Sequence, residues 1–198
     1  MGSIHDIKHV VILMQENRSF DEYFGTFPGA SGFSDPVELF ENQYFDTTGA
    51  EIKPFRMSTF TTSGLQADYC IHNWNAFQKF YNNGQPGQGL WSYPFAADVG
   101  GTNNPGVMAY YVANDIPFHW WLASTFALCD QYYCSTLGGT DPNRIFLMSG
   151  EIGVGAGATI VNNGAGYNAP TWPNYADMLT SANVSWKIYD HLTGDNLL

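Results

Sequence analysis

The sequence predicts an α/β fold with a mainly parallel central sheet. Three short segments carry that expectation: the apolar run Val10–Met14, "ALCDQYYCS" from Ala127 to Ser135, and "VSWKIYD" from Val184 to Asp190. Val10–Met14 is continuously apolar, which suits a strand covered on both faces. Helical spacing separates the three, and alternation of such strands with helices points to a parallel α/β arrangement.

Val10, Val11, Ile12, Leu13 and Met14 form the first expected strand, rich in β-branched residues. A helix signal follows at once. Ser19 with Glu22 three residues on fits a capping box, and Asp21 and Glu22 place negative charge where the helix dipole favours it. The stretch from His9 to Gly25 is thus read as strand, tight turn and helix. Glu16 and Asn17 fall in the turn, beyond the carboxyl end of the strand, where open parallel sheets place their ligand crevice.

From about Thr26 to Gln66 the chain is polar and rich in Gly and Pro, the composition of a long loop that can wall a site. "ADYCIHNWNAFQKFYNNG" then spaces Ile71, Trp74, Phe77, Phe80 and Tyr81 at helical intervals and stops at Gly84. Gln85–Gly106 returns to loop composition. Pro117 suits the first turn of a helix capped by Asp115 and running to roughly Phe126. After the second expected strand, "GGTDPNR" reads as a turn into the helix "IFLMSG". A Gly- and Asn-rich loop, Gly153–Gly166, leads to the helix "TWPNYADMLTSAN", with Pro173 near its start, and then to the third strand. No internal repeat is visible.

The 198 residues suffice for one sizeable core, and 44% hydrophobic and 16% aromatic content excludes a disordered chain. Seven Lys and Arg against 18 Asp and Glu give a formal charge of −11, which argues against a nucleic-acid partner. No run approaches the length of a membrane span. Cys70, Cys129 and Cys134 lack the paired spacing of a zinc site; a Cys129–Cys134 disulfide with one free thiol and three buried thiols are both open.

Chemistry gathers at two places. Glu16 and Asn17 are hard oxygen donors suited to a divalent cation, or else simply the point where a strand reaches solvent. Gly138 and Gly139 let the backbone approach a ligand closely, and Thr140 follows just before a helix N-terminus. Its hydroxyl is placed to be a nucleophile, a metal ligand or an ordinary cap. Arg18 and Arg144 each adjoin one of these turns and suit either phosphate clamping or structural ion pairing. His119, among Phe118, Trp120 and Trp121, reads as a packing residue, and His72 is a lone histidine on its helix.

Three blocks in order, "KHVVILMQENRSFDEYFG", "MAYYVANDIPFHWWLASTFALCDQYYCS" and "LGGTDPNRIFLMSG", resemble the phosphoesterase family of bacterial phospholipases C and the related acid phosphatase, members of the alkaline-phosphatase-like superfamily. The resemblance runs from Lys8 to about Lys187. It implies a three-layer sandwich around the central sheet, a single phosphoesterase catalytic domain over residues 1–198, and a phosphate-ester substrate, with a phospholipid headgroup among the options. It also implies a divalent metal ion held by Glu16, Asn17 and Thr140, with Thr140 as the nucleophile that becomes phosphorylated. His72 would act as phosphate ligand or proton donor; Arg144, from its place beside the turn, is the further candidate to contact substrate. In the family an Asp pair and further histidines from the C-terminal half complete the site. "SWKIYDHLTGDNLL" resembles the middle of a member, so the resemblance further implies an N-terminal portion or a shortened member with an incomplete sandwich. A truncated relative that binds metal or anion without turnover is the competing reading. Location would be secreted or periplasmic if a leader was removed, and cytoplasmic otherwise.

Overall fold

A computed structural model describes residues 2–15, 18–34, 53–58, 60, 73–75, 77, 109–153 and 171–189. After a short 3-10 helix at Ile4–Asp6, the elements in chain order are α1 (Phe20–Phe24), β1 (Phe55–Arg56), β2 (Ala109–Tyr110), α2 (Pro117–Thr125), α3 (Thr140–Ser149) and α4 (Tyr175–Ser181).

The two strands pair in parallel, Phe55 opposite Ala109 and Arg56 opposite Tyr110, and the Met57 N–H extends the ladder to the Tyr110 carbonyl at 2.8 Å. A parallel pair with helices around it is an α/β arrangement. The expected strands lie elsewhere, however. Residues 7–15, 127–135 and 184–189 form neither helix nor strand, and Val10, Val11, Leu13, Tyr132, Tyr133 and Tyr189 are exposed. β-branched and aromatic composition sets only a preference, and cross-strand pairing decides it; none of the three segments has a paired neighbour among the described residues.

Helix ends follow local chemistry more closely. Ser19 Oγ accepts from the Glu22 N–H at 3.3 Å and starts α1. The reciprocal half of the expected capping box is replaced, because the Glu22 carboxylate pairs with Arg18 Nε at 3.0 Å. The structural role thus falls to Arg18, as i,i+4 geometry allows. Pro117 opens α2 as expected, and the helix ends at Thr125. Asp115 does not cap it. The N-cap is Ile116, and the Asp115 carboxylate instead accepts from the Val112 N–H and from Arg56. Gly150 ends α3 at φ 75°, a left-handed position that glycine adopts without strain. At α4 a full capping box joins Asn174 and Asp177. The helix expected from Asp68 to Gly84 is described only at residues 73–75 and 77, where the Phe77 N–H donates to the Asn73 carbonyl at 3.1 Å, an i to i−4 bond.

An aromatic cluster joins α1, β2 and α2. Met57, Ala109 and Tyr111 are buried, with Tyr23 and Ile116 packed against them. The Tyr23 ring meets Tyr111 at 6.0 Å and His119 at 5.0 Å, both edge to face. Trp120 Nε1 donates to the Tyr23 carbonyl at 3.0 Å, and the Tyr111 N–H donates to the Glu22 carbonyl at 2.7 Å. His119 is therefore a packing residue. Cys129 and Cys134 are free and exposed, neither disulfide-bonded nor buried.

Candidate active site

The second chemical stretch forms a built turn. Thr140 is the first residue of α3, so the helix begins five residues before the expected "IFLMSG" start. Pro142 fits within this first turn because N–H groups there have no intrahelical acceptor to lose. Pro142 is fully buried and Asp141 is buried beside it, which anchors the helix start in the protein.

Thr140 is not the cap. The N-cap is Gly139, extended at φ −80° and ψ −162°, and it offers no side chain to the helix. Among the described residues the Thr140 hydroxyl makes no hydrogen bond, and the residue is half-buried at the helix N-terminus. Helix N–H groups and the dipole there favour developing negative charge. Arg144 lies four residues on, which puts it on the same face of α3 as Thr140, where it is also half-buried.

The turn before Thr140 is held by one side chain. Asn143 Oδ1 accepts from the Ser135 N–H at 3.1 Å and the Thr136 N–H at 3.3 Å. Its Nδ2 faces the carbonyls of Gly139 at 3.0 Å, Thr136 at 3.2 Å and Gly138 at 3.4 Å. The Gly138 N–H also donates to the Thr136 carbonyl at 2.9 Å. Sequence reading passed over Asn143; an Asn in the first helical turn after a Gly-Gly pair, able to reach back to turn carbonyls, is the signal that marks it.

Of the other predicted site residues, Glu16, Asn17 and His72 lie outside the described residues. Among the described residues no group of three or more His, Cys, Asp or Glu side chains is arranged to hold a metal ion, and no helix is long and apolar enough to cross a membrane.

Comparison with known proteins decides the family. The model of the phosphoesterase family matches residues 7–197. The chain belongs to the phosphoesterase family. It is 36% identical over 203 residues to the non-hemolytic phospholipase C of Pseudomonas aeruginosa, covering 96% of this chain and 28% of that protein. It is 38% identical over 208 residues to phospholipase C B of Mycobacterium tuberculosis, covering 96% of this chain and 39% of the relative. A further match is the hemolytic phospholipase C of Pseudomonas aeruginosa, 34% identical over 200 residues and covered over 26% of its length. The chain therefore spans between about a quarter and two-fifths of the curated relatives it matches. The turn that begins α3 falls inside the matched region.

Proposed function

We propose that this phosphoesterase hydrolyses phosphate esters, of phospholipase C or acid phosphatase type, through a phosphothreonine at Thr140. The observation that carries the reading is the state of Thr140: a half-buried residue that opens α3, with the N-cap position taken by Gly139. A catalytic domain of alkaline-phosphatase-like, three-layer architecture completes the reading. Relatives named as phospholipases C support a phosphodiester substrate with a lipid headgroup.

The donor set fits a divalent cation in its chemistry. Glu16, Asn17 and Thr140 offer a carboxylate, an amide carbonyl and a hydroxyl, all hard oxygens of the kind such ions prefer. The cation, when bound, supplies Lewis acidity toward the phosphoryl group and the attacking hydroxyl. In this reading Thr140 Oγ1 loses its proton to solvent water and forms a bond to phosphorus in line with the ester oxygen, whose bond to phosphorus breaks. His72 holds the phosphoryl oxygens or protonates the departing oxygen. Arg144 binds the equatorial oxygens, and the N–H groups opening α3 stabilise charge as it builds. Water then attacks phosphorus and releases the Thr140 oxygen, which regains a proton.

The test is turnover of p-nitrophenyl phosphate and p-nitrophenylphosphorylcholine by Thr140→Ala. Loss of hydrolysis with unchanged circular dichroism supports the reading, and preference between the two esters separates monoester from diester chemistry. Undiminished turnover removes Thr140 from the mechanism. Ordinary metal affinity by calorimetry, lost in Glu16→Gln, with no hydrolysis of either ester by the unsubstituted protein, supports the competing non-catalytic binding reading.

A further inference from the structure

We infer that Asn143 is the positioning residue for Thr140, setting the nucleophile through the turn that precedes it; this rests on the reading of Thr140 as the attacking group. The side chain reaches back from the first turn of α3 across residues 135–139, touching both the entrance of the turn and its exit at Gly139. Gly139 is bonded directly to Thr140, so whatever fixes the Gly139 carbonyl fixes the peptide plane on which Thr140 sits.

The environment selects an amide. Two N–H donors converge on one atom of the side chain and three carbonyls on the other. Nδ2 carries two protons, which go to the nearer carbonyls of Gly139 and Thr136, leaving Gly138 at 3.4 Å as a shared contact. A carboxylate of the same shape would keep the acceptor half and set a negative oxygen against three carbonyls. Gly139 supplies no capping side chain and Thr140 spends none of its own, so Asn143 orders this helix start in their place. Holding the hydroxyl in place matters because misplacement by about 1 Å can cost about 100-fold in rate.

The experiment compares Asn143→Asp, Asn143→Ser and Asn174→Ala in the full chain. Asn174 caps α4 and serves as a control for loss of a purely structural cap. Asn143→Asp is expected to lower kcat by about 10- to 100-fold with KM changed by about twofold or less, because the lost element is alignment and not substrate binding. Asn143→Ser, too short to span the turn, is expected to fall in the same direction. Asn174→Ala should lower Tm with kcat unchanged. In a methyl-labelled sample the Thr140 methyl resonance should shift or split in the Asn143 variants and stay in place in Asn174→Ala. Wild-type kcat in both Asn143 variants while Thr140→Ala is inactive overturns this inference alone, and so does an unmoved Thr140 methyl. Full turnover by Thr140→Ala overturns the nucleophile reading and this inference with it.

Discussion

Arg56 grips Asp115 with both arms of its guanidinium: Nε lies 3.1 Å from Oδ2 and Nη2 lies 3.2 Å from Oδ1, across 59 residues of sequence. The Asp115 side chain has no exposed surface, whereas that of Arg56 is 46% exposed. Asp115 also accepts from the Val112 N–H at 3.1 Å, so one buried carboxylate ties the strand pair to the turn that leads into α2. The hydrogen bond to Asp115 is the main cause holding the Arg56 pKa above its ordinary value.

Asp115→Ala is expected to destabilise the protein by about 1–3 kcal/mol, since it strips the partly buried Val112 N–H of its acceptor along with the ion pair. Arg56→Ala should also destabilise, by leaving the carboxylate without its bidentate partner. The double variant should lose less than the sum of the two, because the shared contact is counted once. Urea denaturation at constant m-value measures all three, and strict additivity would show that the pair contributes nothing of its own.

Tyr111 gives a pH prediction. Burial is the first cause raising its pKa above the ordinary value of about 10, with repulsion from the Glu22 carboxylate second. The folded pKa is raised, so the stabilising contribution is complete below about pH 10 and disappears as pH climbs through the folded value. Among the described residues its hydroxyl donates only to the Met57 sulfur, at 3.4 Å, a contact that the ionised form loses. Tyr111→Phe should therefore show a smaller loss of Tm between about pH 9 and 11 than the parent, read by circular dichroism. Parallel curves would assign the alkaline loss to other groups.

Gly25 predicts intolerance of a single methyl group. A Cβ at this position would lie 2.5 Å from the Asp21 carbonyl oxygen and 2.8 Å from the Phe33 ring. The carbonyl is backbone and cannot step aside, and the Gly25 carbonyl meanwhile accepts from the Phe33 N–H at 2.7 Å. Gly25→Ala should cost about 1–3 kcal/mol, the usual penalty of overpacking. Gly2→Ala, where the nearest atom is 3.6 Å away, should be near neutral in the same thermal melts.

Which features were legible in the sequence follows from the range of the interactions that create them. Ser19, Pro117 and Gly150 mark helix ends through contacts within a few residues, and each marks the end that the sequence suggested. Val10–Met14 and Tyr132–Tyr133 could not be judged that way, because a strand exists only with a partner that lies elsewhere in the chain. Asp115 was misread for the same reason: a capping position is local, but Arg56, which claims its carboxylate, is 59 residues away. At the candidate site, Gly138–Thr140 stood out by composition and Asn143 did not, since its five contacts are made with backbone atoms that carry no side-chain signature.

Thr140→Ser is the sharpest check on what the side chain supplies. If the oxygen performs the attack, removing the methyl group keeps the nucleophile and its place at the start of α3, while Thr140→Ala removes it. Serine also gains χ1 freedom that β-branching denies to threonine, so a smaller fraction of hydroxyls points along the line of attack. The expected order is threonine, then serine reduced by about tenfold or less in kcat, then alanine reduced by about three orders of magnitude or more. Mass spectrometry of acid-quenched Thr140→Ser should find the phosphoryl group on the substituted residue. Equal rates for serine and alanine variants would mean that the hydroxyl oxygen at position 140 does not attack phosphorus, whatever the methyl group contributes to packing.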